Sequence, residues 1–479
     1  MKKLSKQAFR SIKKLSRQSL TITVFVFTLM WGVDKITDFK FFNAFDPISQ
    51  ALSDFELTAQ ALSDFELTDY AFSNLRETPS VDQRIVLVNL APTRGLIAQQ
   101  IMQLKALNPK VIGVDSFFDC DIGVDSFFDC EGGLYDTLNC PQLLDTLGNL
   151  MLSNAIQEAG NVVLVSKLVQ TKALASKGDI DEYDSIEYSD KMFRDYARNA
   201  YANLPTDANY QDDVKLCRSL FPKMTVNGNE ELAFSVRLAM MYDSVKTEKF
   251  LARNKYEEVI NFRGNVELMD NRLSSISKED ISTTRYPIMF YAIDWDKFLE
   301  EQYLEDIFKG SIVMLGSMGS YFGDLSWEDK FFTPLNKKVA GRANPDMFGL
   351  VVHANVVAMI LNEDYIGELK EWHKYAIAIV VCFFTIILFI LIDRHLPLWF
   401  DDRHLPLWFD TLSVLIQVVL LLTVSGSVVY FFTNYSAKLD LALTLAASAL
   451  VGPAYDIFKG FQNQFNKWFT KKPVEVLNE

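Results

Sequence analysis

Hydrophobic and polar positions divide the chain into two kinds of segment. Four runs are almost wholly apolar: 20–34 (LTITVFVFTLMWGVD), 375–392 (YAIAIVVCFFTIILFILI), 411–433 (TLSVLIQVVLLLTVSGSVVYFFT) and 439–458 (LDLALTLAASALVGPAYDIF). A helix needs about 20 mostly apolar residues to cross a bilayer's hydrocarbon core. These runs predict four transmembrane α-helices: an anchor at 20–35 and spans at 374–392, 411–433 and 439–458. The DKITDFKFF that follows the first run has no small-x-small cleavage site, which favours an uncleaved anchor over a signal peptide.

Between the first and second apolar runs, short β-branched stretches alternate with helical spacing. RIVLVNLA (84–91), KVIGVD (110–115), NVVLVSKLV (161–169) and GSIVMLGS (310–317) predict buried strands, and VINFRG (259–264) is a further regular piece. LIAQQIMQLKALN (96–108), PQLLDTLGNLMLSNAIQEAG (141–160) and ELAFSVRLAMMYDSV (231–245) predict helices. Buried strands joined by crossover helices imply a mostly parallel sheet. The predicted fold class is therefore an α/β domain plus four membrane helices. Residues 172–228, rich in Asp, Tyr, Asn and Lys, predict a polar insertion over the sheet rather than part of it. DMFGLVVHANVVAMILNEDYI (346–366) predicts a long apolar helix leading toward the second span.

Three nonamers occur twice in tandem: QALSDFELT (50–58, 60–68), IGVDSFFDC (112–120, 122–130) and DRHLPLWFD (393–401, 402–410). Repeat architectures duplicate units of roughly 20 to 50 residues, so these are no solenoid. One copy of each is expected to hold the structural role while the other is looped out.

Charge orients the chain. Residues 1–19 carry seven Lys/Arg (Lys2, Lys3, Lys6, Arg10, Lys13, Lys14, Arg17) and no acid, which predicts a cytoplasmic tail. Four crossings return the C-terminus to the cytoplasm, with 393–410 as a cytoplasmic loop and 36–372 outside. Residues 372–479 hold eight basic and eight acidic residues, so the chain's net −14 leaves −21 on the remainder. Such acidity argues against nucleic acid or anionic lipid as a ligand. Outside the membrane disulfides persist, and a Cys130–Cys140 bridge closing CEGGLYDTLNC is expected, with Cys217 free or paired elsewhere. Cys382, in a span, reads as a small apolar residue.

The strands PKVIGVDSFF and RIVLVNL, the run GSIVMLGSMGSYFGDL followed by FFTPL, and the helix MFGLVVHANVVAMIL with its His-Ala-Asn carry a family likeness. Together with the layout, they make residues 40–455 resemble bacterial CHASE2 sensor proteins. That resemblance implies extracytoplasmic sensing of a ligand or stimulus, coupled through three helices to a cytoplasmic kinase, nucleotide cyclase or phosphodiesterase. The chain departs from the pattern after its last span, where about 20 residues follow, too few for an enzymatic domain. The output is therefore expected on another chain.

In an open parallel sheet, ligands gather at the carboxyl ends of the strands. Those ends nominate Thr93, Arg94, Asp115, Ser317 and Gly319. Arg94 suits a carboxylate or phosphate and Asp115 an amine or cation, against the plainer reading that the two pair with each other or cap helices. GSMGSYFG (316–323) lacks the Lys-Ser/Thr of a phosphate loop and reads as a turn. His353, in an apolar helix, reads as a hydrogen-bonded core residue. DIDEYDSIEYSD (179–190) lacks a calcium-loop spacing and reads as a solvated face. No catalytic constellation, metal site or cofactor is expected. Lys438 and Asp440 flank the fourth span, and Gly452 and Pro453 suit either a kink in it or plain helix packing. Phe461, Phe465 and Trp468 in the tail 459–479 predict an amphipathic segment that docks on the inner leaflet or a partner.

Two functions fit. One is a non-catalytic inner-membrane sensor subunit that signals through a separate partner. The other is a structural docking subunit of an envelope complex without a small ligand. Either implies the bilayer and other protein subunits as partners, with a homo-oligomer possible and no nucleic acid.

Overall fold

The computed structural model describes residues 2–37, 69–118 with breaks at 70, 76 and 78, 145–171, 174, 183–206, 215–266, 289–320, 328–336, 345–399 and 405–470. Two units divide the chain, 58–366 in one and 1–57 with 367–479 in the other. In chain order the main elements are α1 (Lys2–Thr37), β1 (Ile85–Asn89), α2 (Arg94–Leu107), β2 (Val111–Asp115), α3 (Thr146–Ala159), β3 (Val162–Val169), β4 (Ser185–Tyr188) and β5 (Arg198–Tyr201). There follow α4 (Phe234–Tyr242), β6 (Tyr291–Ile293), α5 (Trp295–Leu299), β7 (Ile312–Gly316), α6 (Gly349–Asn362), α7 (Glu371–Trp399), α8 (Leu405–Tyr435) and α9 (Ala442–Thr470).

The first unit is built on a seven-stranded sheet of order β6-β1-β7-β2-β3-β4, with β5 also on β3. Every pairing in it is parallel except β3 with β4. Alternate residues of the apolar strands point to opposite faces. Val86, Val88, Ile112, Val114, Val313 and Leu315 share one core with α2, α3 and α5. On the opposite face, a Cβ on Gly113 would lie 2.8 Å from Phe234 and one on Gly316 2.8 Å from Leu350, so glycine there lets α4 and α6 close onto the sheet. Helices on both faces explain why the strands read as continuous apolar runs.

Sequence and structure differ at the sheet's far edge. Residues 172–228 contribute β4 and β5 to the sheet, and Phe193, Ala200 and Tyr201 within them are buried. Four-residue strands flanked by polar residues are too short to show a period, so the segment reads as insertion although β3 recruits it. Only Glu258–Val259 of the region around VINFRG is a strand, paired with Ser219–Leu220.

α6 is shorter than the predicted helix, starting at Gly349 and ending at Asn362, where Glu363 takes a left-handed φ of 53°. Gly349 through Leu361 are all buried. At 1.5 Å per residue, such a helix is too short to cross a bilayer; it is a core element.

In the second unit, two helices are long and apolar enough to cross a membrane, Glu371–His395 within α7 and Thr411–Tyr435 within α8. α1 runs unbroken through both the predicted tail and the predicted anchor. α1, α7 and α9 share an apolar core of Ile22, Val26, Ile386, Phe389, Val451 and Ala454. Ser19 Oγ donates to the Phe383 carbonyl at 2.8 Å. Polar pairs tie α7 to the segment just before α9 and to α9 itself: Lys374 to Asp440 at 2.8 Å and Lys459 to Asp393 at 2.5 Å. α9 continues helically from the predicted fourth span into the predicted tail, with Pro453 inside it. Phe461 is exposed; the side chains of Phe465 and Trp468 lie outside the described residues.

Both copies of DRHLPLWFD are largely helical, the first closing α7 and the second opening α8. Pro406 sits in the first turn of α8, where its missing N–H costs no helical bond. The expectation that one copy is looped out does not hold here. The second IGVDSFFDC, both copies of QALSDFELT, and Cys130 with Cys140 lie outside the described residues.

Candidate functional site

The parallel strands bring their carboxyl ends to one edge, where Asn89, Gly316 and Asp115 stand side by side in register on β1, β7 and β2. Asn89 organises this edge. Its Nδ2 donates to the Asp294 carboxylate at 2.9 Å and to the Gly319 carbonyl at 3.1 Å, and its Oδ1 accepts from the Met318 N–H at 2.9 Å. Gln100 on α2 ties the same strand end down, donating to the Asn89 carbonyl and accepting from the Ala91 N–H. The segment 316–319 is therefore a turn pinned to β1, and Gly319 supplies the φ of 87° it needs. Gly319 presents its carbonyl inward, the wrong polarity for a phosphate cradle.

The residues nominated from sequence separate into two groups. Thr93 caps α2, its Oγ1 accepting from the Leu96 N–H. Arg94 is buried, its guanidinium 5.4 Å from the Phe193 ring centre and 6.0 Å from that of Phe118, with Nη1 donating to Asn149 of α3 at 2.6 Å. It fastens α2 to α3. Arg94 does not pair with Asp115: β7 lies between their strands, and Asp115 is on the face toward α6.

Asp115 has a different companion. The Cβ that Gly316 lacks would lie 3.1 Å from Asp115 Cβ and 2.8 Å from Leu350, in the first turn of α6. The Cβ that Gly349 lacks would lie 3.0 Å from Asp329 Oδ1, and the Gly349 N–H donates to the Asp329 carbonyl. Asp329 thus lies against the start of α6, and Asp115 stands beside Gly316 on the sheet face that Leu350 covers. Burial pushes Asp115 up to about 7. Burial, then the charge of Asp115, raises Asp329 well above the usual carboxylate range, with Lys215 pulling the other way. By solvent exposure Asp115 is half-buried and Asp329 exposed, so water offsets much of that push on Asp329. Sequence reasoning found Asp115 at a strand end; Asp329 comes from a remote irregular segment and carries no local signal.

The His-Ala-Asn of α6 is structural. Asn355 Oδ1 accepts from the N–H groups of Arg263 and Gly264, and Nδ2 donates to the carbonyls of Gly264 and Val351. His353 stands edge-on to Phe234 with its Nδ1 buried and without a hydrogen-bond partner, and burial lowers it to about 4, so it is neutral at physiological pH. Asp346, just before α6, accepts from Thr333 and Asn336 and anchors the FFTPL segment. Among the described residues, no group of three or more His, Cys, Asp or Glu is placed to hold a metal ion.

These elements coincide with a known domain. The CHASE2 domain profile matches residues 57–391, about two thirds of the chain. The chain belongs to the CHASE2 family. CHASE2 is an extracytoplasmic sensory domain, so the chain carries a sensor module, with apolar helices suited to membrane anchoring. No curated protein and no solved structure matches it.

Proposed function

We propose that this CHASE2 chain is a non-catalytic sensor subunit of a bacterial inner membrane, which detects a ligand or envelope state outside and signals through a separate partner. The observation that carries this reading is that the α/β unit ends, in chain order, in α6, whose first turn meets the carboxyl edge of the sheet and whose last residue, Asn362, precedes α7 by eight residues, while the family match runs on into α7. A change at the edge has a short covalent route to the membrane.

In this reading α1 and α9 are the first and fourth spans beside α7 and α8. The core that α1 and α9 share with α7 supports it, as do the seven basic residues before the first apolar run, which favour a cytoplasmic N-terminus and, with four crossings, a cytoplasmic C-terminus. A docking-subunit reading draws on α3, whose Leu147 and Leu150 are 70% and 52% exposed. The test is isolation of the native chain in mild detergent, with identification of stoichiometric companions. A companion with kinase, cyclase or phosphodiesterase activity supports the sensor. Companions that are all non-enzymatic envelope proteins, lost on Leu147→Asp and Leu150→Asp, support docking instead.

A further inference from the structure

The chain passes from the α/β unit to the helical unit between Ile366 and Gly367. Up to that bond, residues of the α/β unit hold its backbone. The Leu361 carbonyl, near the end of α6, accepts from Lys246 at 2.6 Å, the Asp364 carbonyl from Asn261 at 3.0 Å and the Ile366 carbonyl from Arg253 at 3.4 Å. From Gly367 onward, the helical unit takes over. β8 (Gly367–Glu368) runs parallel to β9 (Ala437–Lys438) in the turn between α8 and α9, with Gly367 opposite Ala437 and Glu368 opposite Lys438. The Gly367 N–H donates to the Ser436 carbonyl at 2.8 Å.

A ladder of two residues is a weak hold by itself, and further contacts reinforce it. Leu369 and Leu439, which follow the two strands, pack on one apolar cluster of Val424 and Val428 from α8 and Leu441 from the start of α9. Lys374, in the first turn of α7, bridges Glu371 at 2.7 Å and Asp440 at 2.8 Å. Asp440 in turn accepts from the Ala442 N–H at 3.3 Å, where α9 begins. Ser436, whose carbonyl receives Gly367, holds a left-handed φ of 48°, uncommon for a residue other than glycine.

We propose that the pairing of β8 with β9 is a transmission clip, which makes the α8–α9 turn a second receiver of any movement of the end of α6. By the covalent route alone, a pull on 361–366 enters the helical unit at the first turn of α7. Through the clip it also reaches the end of α8 and the start of α9. A tether would leave its backbone free to absorb such a pull; here the backbone is hydrogen-bonded on both sides of the Ile366–Gly367 bond. This deepens the sensor reading, on which it rests, by naming how the helices are driven.

The experiment is hydrogen exchange on the full chain in lipid nanodiscs, read at 371–375 and at 436–445. Lys246→Met loosens the end of α6 from the α/β side, and Gly367→Pro removes the donor of the clip. Lys246→Met is expected to speed exchange at 436–445 by about threefold or more, and to add nothing there once Gly367→Pro is present. An equal response with and without Gly367→Pro overturns the clip. A response at 371–375 with 436–445 flat also overturns it and leaves the sensor reading standing, with α7 as the route. No response in either segment overturns the clip and counts against the sensor reading as well. A second measurement does not depend on the proline variant. Glu368→Cys with Lys438→Cys, opposite each other in register, should yield a 368–438 disulfide-linked peptide within one chain on mild oxidation, and its absence overturns the pairing.

Discussion

Asn355 makes five hydrogen bonds from one fully buried side chain, to residues 263–264, to Val351 one turn back and to the Met347 sulfur. Asn355→Ala leaves backbone groups buried without partners and is expected to destabilise the domain by about 2–4 kcal/mol, readable by denaturant unfolding. Asn355→Asp keeps the acceptor but none of the donated bonds, and should also be unstable. Gly113→Ala would drive a Cβ to 2.8 Å from Phe234 and 2.9 Å from Leu238. Both are side-chain ends that shift, so the expected cost is about 1–3 kcal/mol. His353 gives the domain a pH signature of its own. Its folded value, lowered by burial to about 4, means the unfolded chain takes up a proton that the native state refuses. Its contribution is complete above about pH 6.5 and lost as the pH falls toward about 4. His353→Gln should flatten that acid limb in a thermal-shift titration.

At the scale of elements, the ends of helices carry testable clamps. Arg84 holds the end of α6, donating to the Leu361 carbonyl and to Asn362 while its fork grips the buried Asp82 carboxylate. Arg84→Met leaves that carboxylate without its cation, and a loss of about 3 kcal/mol is expected in domain unfolding. The central strands and the helices between them were legible because each buries a face and so shows its period. β4, β5 and β6 were not, since three or four residues at a sheet's edge are placed by their neighbours' free backbone groups rather than by their own pattern. The same physics limited the site. Asp115 terminates an apolar strand and stands out, and Arg94 stood out equally but is a packing residue between two aromatic rings. Asn89 passed as the end of a strand, and Asp329 is brought to the edge by tertiary contacts that no local spacing records.

Across the whole molecule, a CHASE2 sensory domain and a helical membrane unit are joined by a few residues after α6. The central claim is that events at the carboxyl edge of the sheet reach the membrane helices through that helix. The most direct measurement places spin labels at His395 and Gln462, near the ends of α7 and α9, and records their distance distribution in nanodiscs. Asn89→Ala, which unpins the 316–319 turn, and Asp115→Asn, which alters the start of α6, are compared with the parent chain. The account predicts a shifted or broadened distribution in at least one of them. Superimposable distributions in all three, with the helices folded, would contradict it.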